Sequence, residues 1–259
     1  MLDRVNRQWR VLATGFSFLV FGIGGLILGG VVFPLLQLLV PDGPRRHSIS
    51  RTILRGAFRL FVELMRGVGV LSYELIGFDR LERRGLLILA NHPSLIDTVF
   101  VLAFARGCNC VVNAALSTNP FTLGAVRAAG YLKSDAGVGV IAECIAELER
   151  GGNVLIFPEG TRTPLTGDIR LRRGAANIAV RGNRDITPVV IHCTPRTLTK
   201  GDKWWRVPSR AARYVLEVRD DIQVSPLCSD SSEPALAVRQ LTAALEQYFT
   251  MEVLPDAVA

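Results

Sequence analysis

A histidine followed five residues later by an aspartate, within Asn91-His92-Pro93-Ser94-Leu95-Ile96-Asp97, can supply a general base together with the carboxylate that orients it. The apolar run Leu86 to Ala90 ends just before it, and Pro93 follows the His. A residue before proline is pushed out of the α region, so His92 belongs in extended or turn backbone at a strand end. Pro93 then suits the first position of a helix running through Thr98 to Leu102. Were the whole stretch helical, His92 and Asp97 would sit about 140° apart around the axis and could not meet. With His92 just outside the helix and Asp97 on its second turn, the carboxylate leans back toward the N-terminus. It can then accept the imidazole Nδ1–H and leave Nε2 to take a proton from a hydroxyl.

In a chain with three His, a His with Asp five positions later arises by chance roughly one time in seven. A second cluster changes that. Val154-Leu155-Ile156-Phe157-Pro158-Glu159-Gly160-Thr161-Arg162 again runs from a short apolar strand into a proline, then delivers an acid, a glycine, a hydroxyl and an arginine. Polar clusters at the ends of neighbouring strands are how α/β folds build sites.

At these residues the chain resembles the glycerolipid acyltransferase family, the lysophosphatidic acid acyltransferases and their relatives. The His-x-x-x-x-Asp motif stands at His92 to Asp97, and Phe-Pro-Glu-Gly-Thr-Arg is complete at Phe157 to Arg162. A later motif resembles Thr187-Pro188-Val189-Val190-Ile191, so the resemblance covers roughly Leu71 to Val224. It departs in one element. The family's Gly-rich block usually ends in an Arg thought to hold an acceptor phosphate. Here the region reads Gly130-Tyr131-Leu132-Lys133-Ser134-Asp135-Ala136, so the charge expected to bind substrate is Lys133, which cannot clamp a phosphate bidentately as Arg does.

The resemblance implies an O-acyltransferase that moves a fatty acyl group from acyl-CoA or acyl carrier protein to the hydroxyl of a lysophospholipid such as lysophosphatidic acid. Neither cofactor nor metal is needed, the thioester being a co-substrate. His92 would deprotonate the acceptor, a contribution of about 10²–10⁴-fold, and Asp97 would fix its tautomer and stabilise the imidazolium. No serine or cysteine nucleophile is required, and Ser94 is expected to satisfy a backbone N–H in the first helical turn. Glu159, Gly160, Thr161 and Arg162 would bind the acceptor. Arg162 can pair with a phosphate, Gly160 lets a headgroup approach the backbone, and Glu159 would bind an acceptor hydroxyl or hold Arg162. A different lipid acceptor, a thioesterase and a non-catalytic relative stay open as alternatives. A dinucleotide fingerprint at Gly137-x-Gly139-x-x-Ala142 is weak, because Lys133-Ser134-Asp135 separates it from the preceding strand.

The elements that must position these residues follow from patterning. Short apolar runs suggest strands at Ser72–Gly77, Leu86–Ala90, Cys110–Asn113, Tyr131–Lys133, Val154–Phe157, Ile186–Ile191 and Tyr214–Arg219. Helices are expected at Pro93–Ala105, Pro120–Ala129, Val138–Arg150, Gly174–Arg181 and Glu233–Met251, the last capped by Ser231-Ser232, with a loose tail over Val253–Ala259. The alternation predicts an α/β fold, a mainly parallel or mixed sheet flanked by helices, for residues 71–259.

Residues 1–70 read as a membrane anchor and an interfacial amphipathic helix. The chain joins a net charge of +7 to a mean hydropathy of +0.30. From Val11 to Val40 there is no Asp, Glu, Lys or Arg, a run longer than a signal-peptide core and long enough for a membrane segment. Its glycines and Pro34 leave a straight span and a re-entrant hairpin both open. Arg51, Arg55 and Arg59 recur every four residues, which suits a helix lying among lipid headgroups or packing on the catalytic domain. Arg170, Arg172 and Arg173 form a charge run, and Trp204-Trp205 stand between Lys203 and Arg206, a composition suited to a bilayer interface or to packing. Five cysteines, an odd number, suit reduced thiols in a domain facing the cytoplasm, the side the heavier basic flank after Val40 also favours, and the expected location is the inner membrane. The expected partners are membrane lipid and the acyl carrier, not nucleic acid.

Overall fold

Seven of the apolar runs become strands of one sheet: β1 (Leu71–Ile76), β2 (Leu87–Ala90), β3 (Cys108–Val112), β4 (Leu132–Lys133), β5 (Asn153–Ile156), β6 (Ile186–Thr194) and β7 (Ala212–Val218). Their order is β1-β7-β6-β2-β5-β3-β4. Every neighbouring pair is parallel except β6 and β7, so the sheet is mixed and mainly parallel, as the patterning predicts. The computed structural model describes residues 2–134, 138–164, 169–225 and 233–253. Gly137, Cys228, the cap at Ser231-Ser232 and the tail after Val253 lie outside the described residues.

The helices are α1 (Leu2–Ile27), α2 (Phe33–Leu39), α3 (Pro44–Gly67), α4 (Asp97–Phe104), α5 (Pro120–Ala129), α6 (Val138–Glu149), α7 (Gly174–Gly182) and α8 (Pro234–Val253). A π-helical turn, Leu28–Val32, joins α1 to α2. β2 and β5 are buried at every residue, which is why they read as unbroken apolar runs. Their pleat alternates between two cores. Ile88, Ala90 and Leu155 pack with residues of α3 and α4, whereas Leu87, Leu89, Val154 and Ile156 pack with α6, α7 and α8.

The helix expected from Pro93 begins instead at Asp97. Asp97 Oδ2 takes the Ser94 N–H at 2.6 Å and Asp97 Oδ1 takes the Ser94 hydroxyl at 2.6 Å. Pro93 to Ile96 therefore folds as a turn around the carboxylate, and Asp97 opens the helix rather than lying on its second turn.

The N-terminal segments form an antiparallel hairpin. Trp9 Nε1 donates to Val68 O at 2.9 Å, Phe21 meets Phe61 at 5.1 Å between ring centroids, and Phe33 shares a core with Leu54. Helical structure continues from Leu2 to Leu39 through Gly29 and Gly30, with Pro34 tolerated in the first turn of α2. The stretch Val5–Leu39 is long and apolar enough to cross a membrane, and only 6% of its most apolar window is buried. The arginine stripe of α3 faces the domain. Arg51 donates to Ala129 O and pairs with Glu147, Arg55 donates to Glu82 Oε1 and Phe104 O, and Arg59 lies over the Phe104 ring. Of the two readings of the stripe, packing on the domain is the one these three side chains follow.

Candidate active site

β2 and β5 are adjacent and parallel, so the two polar clusters leave the sheet at the same rim. His92 and Phe157, each just past its strand, bring their rings to 4.4 Å between centroids. The imidazole is thus held against an aromatic face on one side. On the other, Nδ1 lies 2.9 Å from Asp97 Oδ2. Asp97 is fully buried and also binds the Ser94 N–H and hydroxyl, so its oxygens are fixed by three short contacts. A carboxylate so engaged accepts the Nδ1–H and makes Nε2 the basic nitrogen. Ser94 is buried and stands outside the helix; its hydroxyl donates to Asp97 and accepts the Ile96 N–H at 3.3 Å, so the backbone contact expected of it is made, in the turn before the helix.

The second cluster reaches His92 through its backbone. Glu159 Oε1 accepts the His92 N–H at 3.1 Å, and Thr163 Oγ1 accepts it at 3.0 Å. Thr163 also donates its hydroxyl to Glu159 at 2.6 Å and its own N–H to His92 O at 2.7 Å. Thr163 therefore grips both sides of the His92 peptide. Burial pushes the Glu159 carboxyl up, against the opposing pull of the Thr163 hydroxyl and the His92 N–H. Glu159 thus acts as a strut under the His92 backbone and makes no hydrogen bond to Arg162, one of the two roles expected of it.

Arg162 NH1 donates to Leu198 O and Thr199 O, each at 2.8 Å. That leaves the guanidinium edge of Nε and NH2, the geometry that takes an oxyanion bidentately. Gly160 has φ +66° and is exposed, and a Cβ there would come within 2.5 Å of Arg172 Nε. A glycine is required both by the backbone and by the close passage of Arg172. Thr161 is half-buried beside it. Arg172, exposed like Arg170 and Arg173, joins the turn by passing over Gly160 and donating its N–H to Pro158 O at 2.8 Å. Lys133 ends β4 on the same rim but three strands from β2, about 14 Å at the usual strand spacing.

Asn91 adds a structural tie. Its amide donates to Ile191 O at 2.8 Å and accepts from Ile191 N at 2.7 Å, pinning the end of β2 to the Thr187–Ile191 motif on β6. Thr163 was missed by sequence reasoning. Thr163 lies one residue beyond a recognised motif, and nothing in the local pattern marks a hydroxyl that bonds a residue 71 positions away. Among the described residues no cluster of His, Cys, Asp or Glu could hold a metal. Four cysteines are buried free thiols, and burial pushes Cys108 and Cys144 up to about 12, out of the range of a reactive thiolate.

The acyltransferase family profile matches residues 73–192, which contain both clusters. A 1-acyl-sn-glycerol-3-phosphate acyltransferase from Pseudomonas aeruginosa is 28% identical over 189 residues, 70% of this chain and 70% of that protein. One of the same name from Saccharomyces cerevisiae is 26% identical over 187 residues, 68% of this chain and 58% of that protein. The crystal structure of the 1-acyl-sn-glycerophosphate (LPA) acyltransferase PlsC from Thermotoga maritima shares the fold with a TM-score of 0.69 at 19% identity, over 96% of this chain and 97% of that one. An imidazole set against a carboxylate beside a Glu-Gly-Thr-Arg turn agrees with the sequence matches: residues 73–192 match the acyltransferase family, and the chain is similar to the 1-acyl-sn-glycerol-3-phosphate acyltransferases.

Proposed function

We propose that the chain transfers a fatty acyl group from acyl-CoA or acyl carrier protein to the free hydroxyl of a lysophospholipid, with lysophosphatidic acid the leading acceptor. The observation that carries this reading is the 2.9 Å contact of His92 Nδ1 with buried Asp97, in a cluster joined to the Glu159–Arg162 turn. His92 Nε2 takes the acceptor hydroxyl proton while the oxygen forms its bond to the thioester carbonyl carbon. The tetrahedral adduct collapses, the carbon–sulfur bond breaks, and the imidazolium returns the proton to the departing thiolate. Asp97 stabilises that imidazolium. Arg162, with Arg172 beside Gly160, supplies the cations for a phosphate headgroup; Lys133 serves a more distant part of the substrate.

The reaction takes place at a membrane surface, with the domain on the cytoplasmic side of the inner membrane. α1 is covered on one side by α3 and α5 along much of its length, and Leu12, Phe16, Leu19, Ile23 and Leu26 form its exposed face. A helix escorted by a polar domain cannot be ringed by lipid, so it enters one leaflet by that face instead of spanning both.

Labelled acyl thioester supplied with a panel of lysolipids tests the reading, with products identified by mass. Esterified lysophosphatidic acid is the expected product, and His92→Ala in folded protein should reduce transfer by at least about 10²-fold. Thioester cleavage equally fast without any lipid would point to a thioesterase. Transfer within a few-fold of the parent protein would remove His92 as the base.

A further inference from the structure

The segment Lys200–Arg210 is not used by the chemistry above, yet it presents two neighbouring tryptophans at the surface. Trp204 and Trp205 are 43% and 48% exposed and stand edge to face at 5.5 Å. Lys203 Nζ lies over the Trp205 ring at 5.1 Å. Lys200, Lys203, Arg206 and Arg210 are all exposed, and the one acid of the segment, Asp202, is tied to the Thr199 N–H and hydroxyl. The segment is seated on α1. A Cβ at Gly15 would come within 2.9 Å of the Trp204 ring, and Arg10 donates to Pro208 O and Ser209 O. At 100° per residue, Gly15 lies about 60° around the helix from the centre of the face formed by Leu12, Phe16, Leu19, Ile23 and Leu26. The tryptophans therefore extend the exposed apolar face of α1 sideways, rimmed with positive charge.

We infer that Lys200–Arg210 is a second membrane-contacting element, which seats Trp205 at the interface of an anionic bilayer while Lys203 and Arg206 meet lipid phosphates. This rests on the proposal that α1 enters a leaflet by its exposed face. Tryptophan with flanking cations suits the boundary between headgroups and acyl chains, where an amphipathic ring satisfies both environments. An acidic protein could also meet the charges, but the apolar helix face running on from the tryptophans matches lipid. The contact also reaches the candidate site, because Leu198 O and Thr199 O, just before the segment, hold Arg162.

The test uses the full chain with Trp9→Phe and Trp204→Phe, leaving Trp205 as the reporter, and vesicles of phosphatidylcholine with or without a third of phosphatidylglycerol. Trp205 emission should shift to the blue on anionic vesicles and be quenched by lipids brominated along the acyl chain. Lys203→Ala with Arg206→Ala should weaken binding to the anionic vesicles by up to about 30-fold, at roughly fivefold for each basic residue at such a surface. Neutral vesicles should show little change. If the protein binds vesicles but Trp205 stays unquenched and the double variant binds equally, this inference fails while the leaflet reading stands. If the full chain does not associate with vesicles at all, both fail. Protection of Trp205 by acyl carrier protein in solution, with vesicle binding unchanged in the variant, would make the segment a protein-docking surface and overturn the inference.

Discussion

Thr163 shows what a single side chain adds to this site. Its hydroxyl accepts the His92 N–H, donates to Glu159, and sits on a backbone N–H bonded to His92 O. Thr163→Val keeps the shape but removes the acceptor and donor together. His92 N–H retains Glu159, so the stability cost should be about 1–3 kcal/mol, that of one unmet buried polar group. The larger effect should be on the reaction, since a base displaced by a fraction of an ångström from its attack geometry loses rate steeply. Steady-state kinetics should show kcat lowered by about 10- to 100-fold with KM for thioester and acceptor changed little, and Thr163→Ser should recover most of it. Unchanged kcat in a folded Thr163→Val protein would show that the backbone grip has no part in placing the imidazole.

At the scale of elements, α1 and the π-helical turn after it meet α5 through glycines. A Cβ on Gly124 would lie 2.3 Å from Gly29 Cα, and one on Gly25 would lie 2.1 Å from Phe121 O. Backbone sits against backbone, so there is no side chain that can swing aside. Gly124→Ala should force the two segments apart at about 1–3 kcal/mol and expose the α1–α2 arm to protease, while Gly24→Ala and Gly30→Ala, which have open space, should not. Equal protease resistance in all three would mean the contact is looser than it looks. This joint also shows where sequence reasoning stops. Strand positions were legible because β2 and β5 are buried throughout and turn signals bound them. The meeting of His92 with Asp97 was legible because both lie on one short segment. The glycines of α1 looked like sites of bending in a membrane segment, and their role as contact points depends on α5, about a hundred residues away. The early helix expected at Pro93 failed because a buried carboxylate competes for the Ser94 N–H, a contact that local propensity does not see.

For the molecule as a whole, the question is what ties the α/β sheet to the N-terminal helical arm. α3 provides the link, and Arg51 is its central bolt: only 9% exposed, it caps the C-terminal end of α5 at Ala129 O and pairs with Glu147 on α6. Arg51→Met leaves Glu147 with only the exposed Arg150 for a partner and removes the donor to Ala129 O, so it should cost about 1–3 kcal/mol. Replacing both, as Arg51→Met with Glu147→Leu, should restore most of that loss, because two apolar side chains need no partner. The pair also sets an acid limit. Burial pushes the Glu147 carboxyl up, but the charge and hydrogen bond of Arg51, with Arg150, outweigh it and hold the group below the usual value. A depressed carboxylate contributes stability that is present above its unfolded pKa and is lost as pH falls through its folded one. Thermal unfolding in detergent micelles at descending pH should therefore show an acid decline that is smaller in the double variant. Should Arg51→Met be as stable as the parent, or the double variant no better than the single, the ion pair is not the bolt. The seating of the α1–α2 arm on the sheet would then be set by the glycine joint alone.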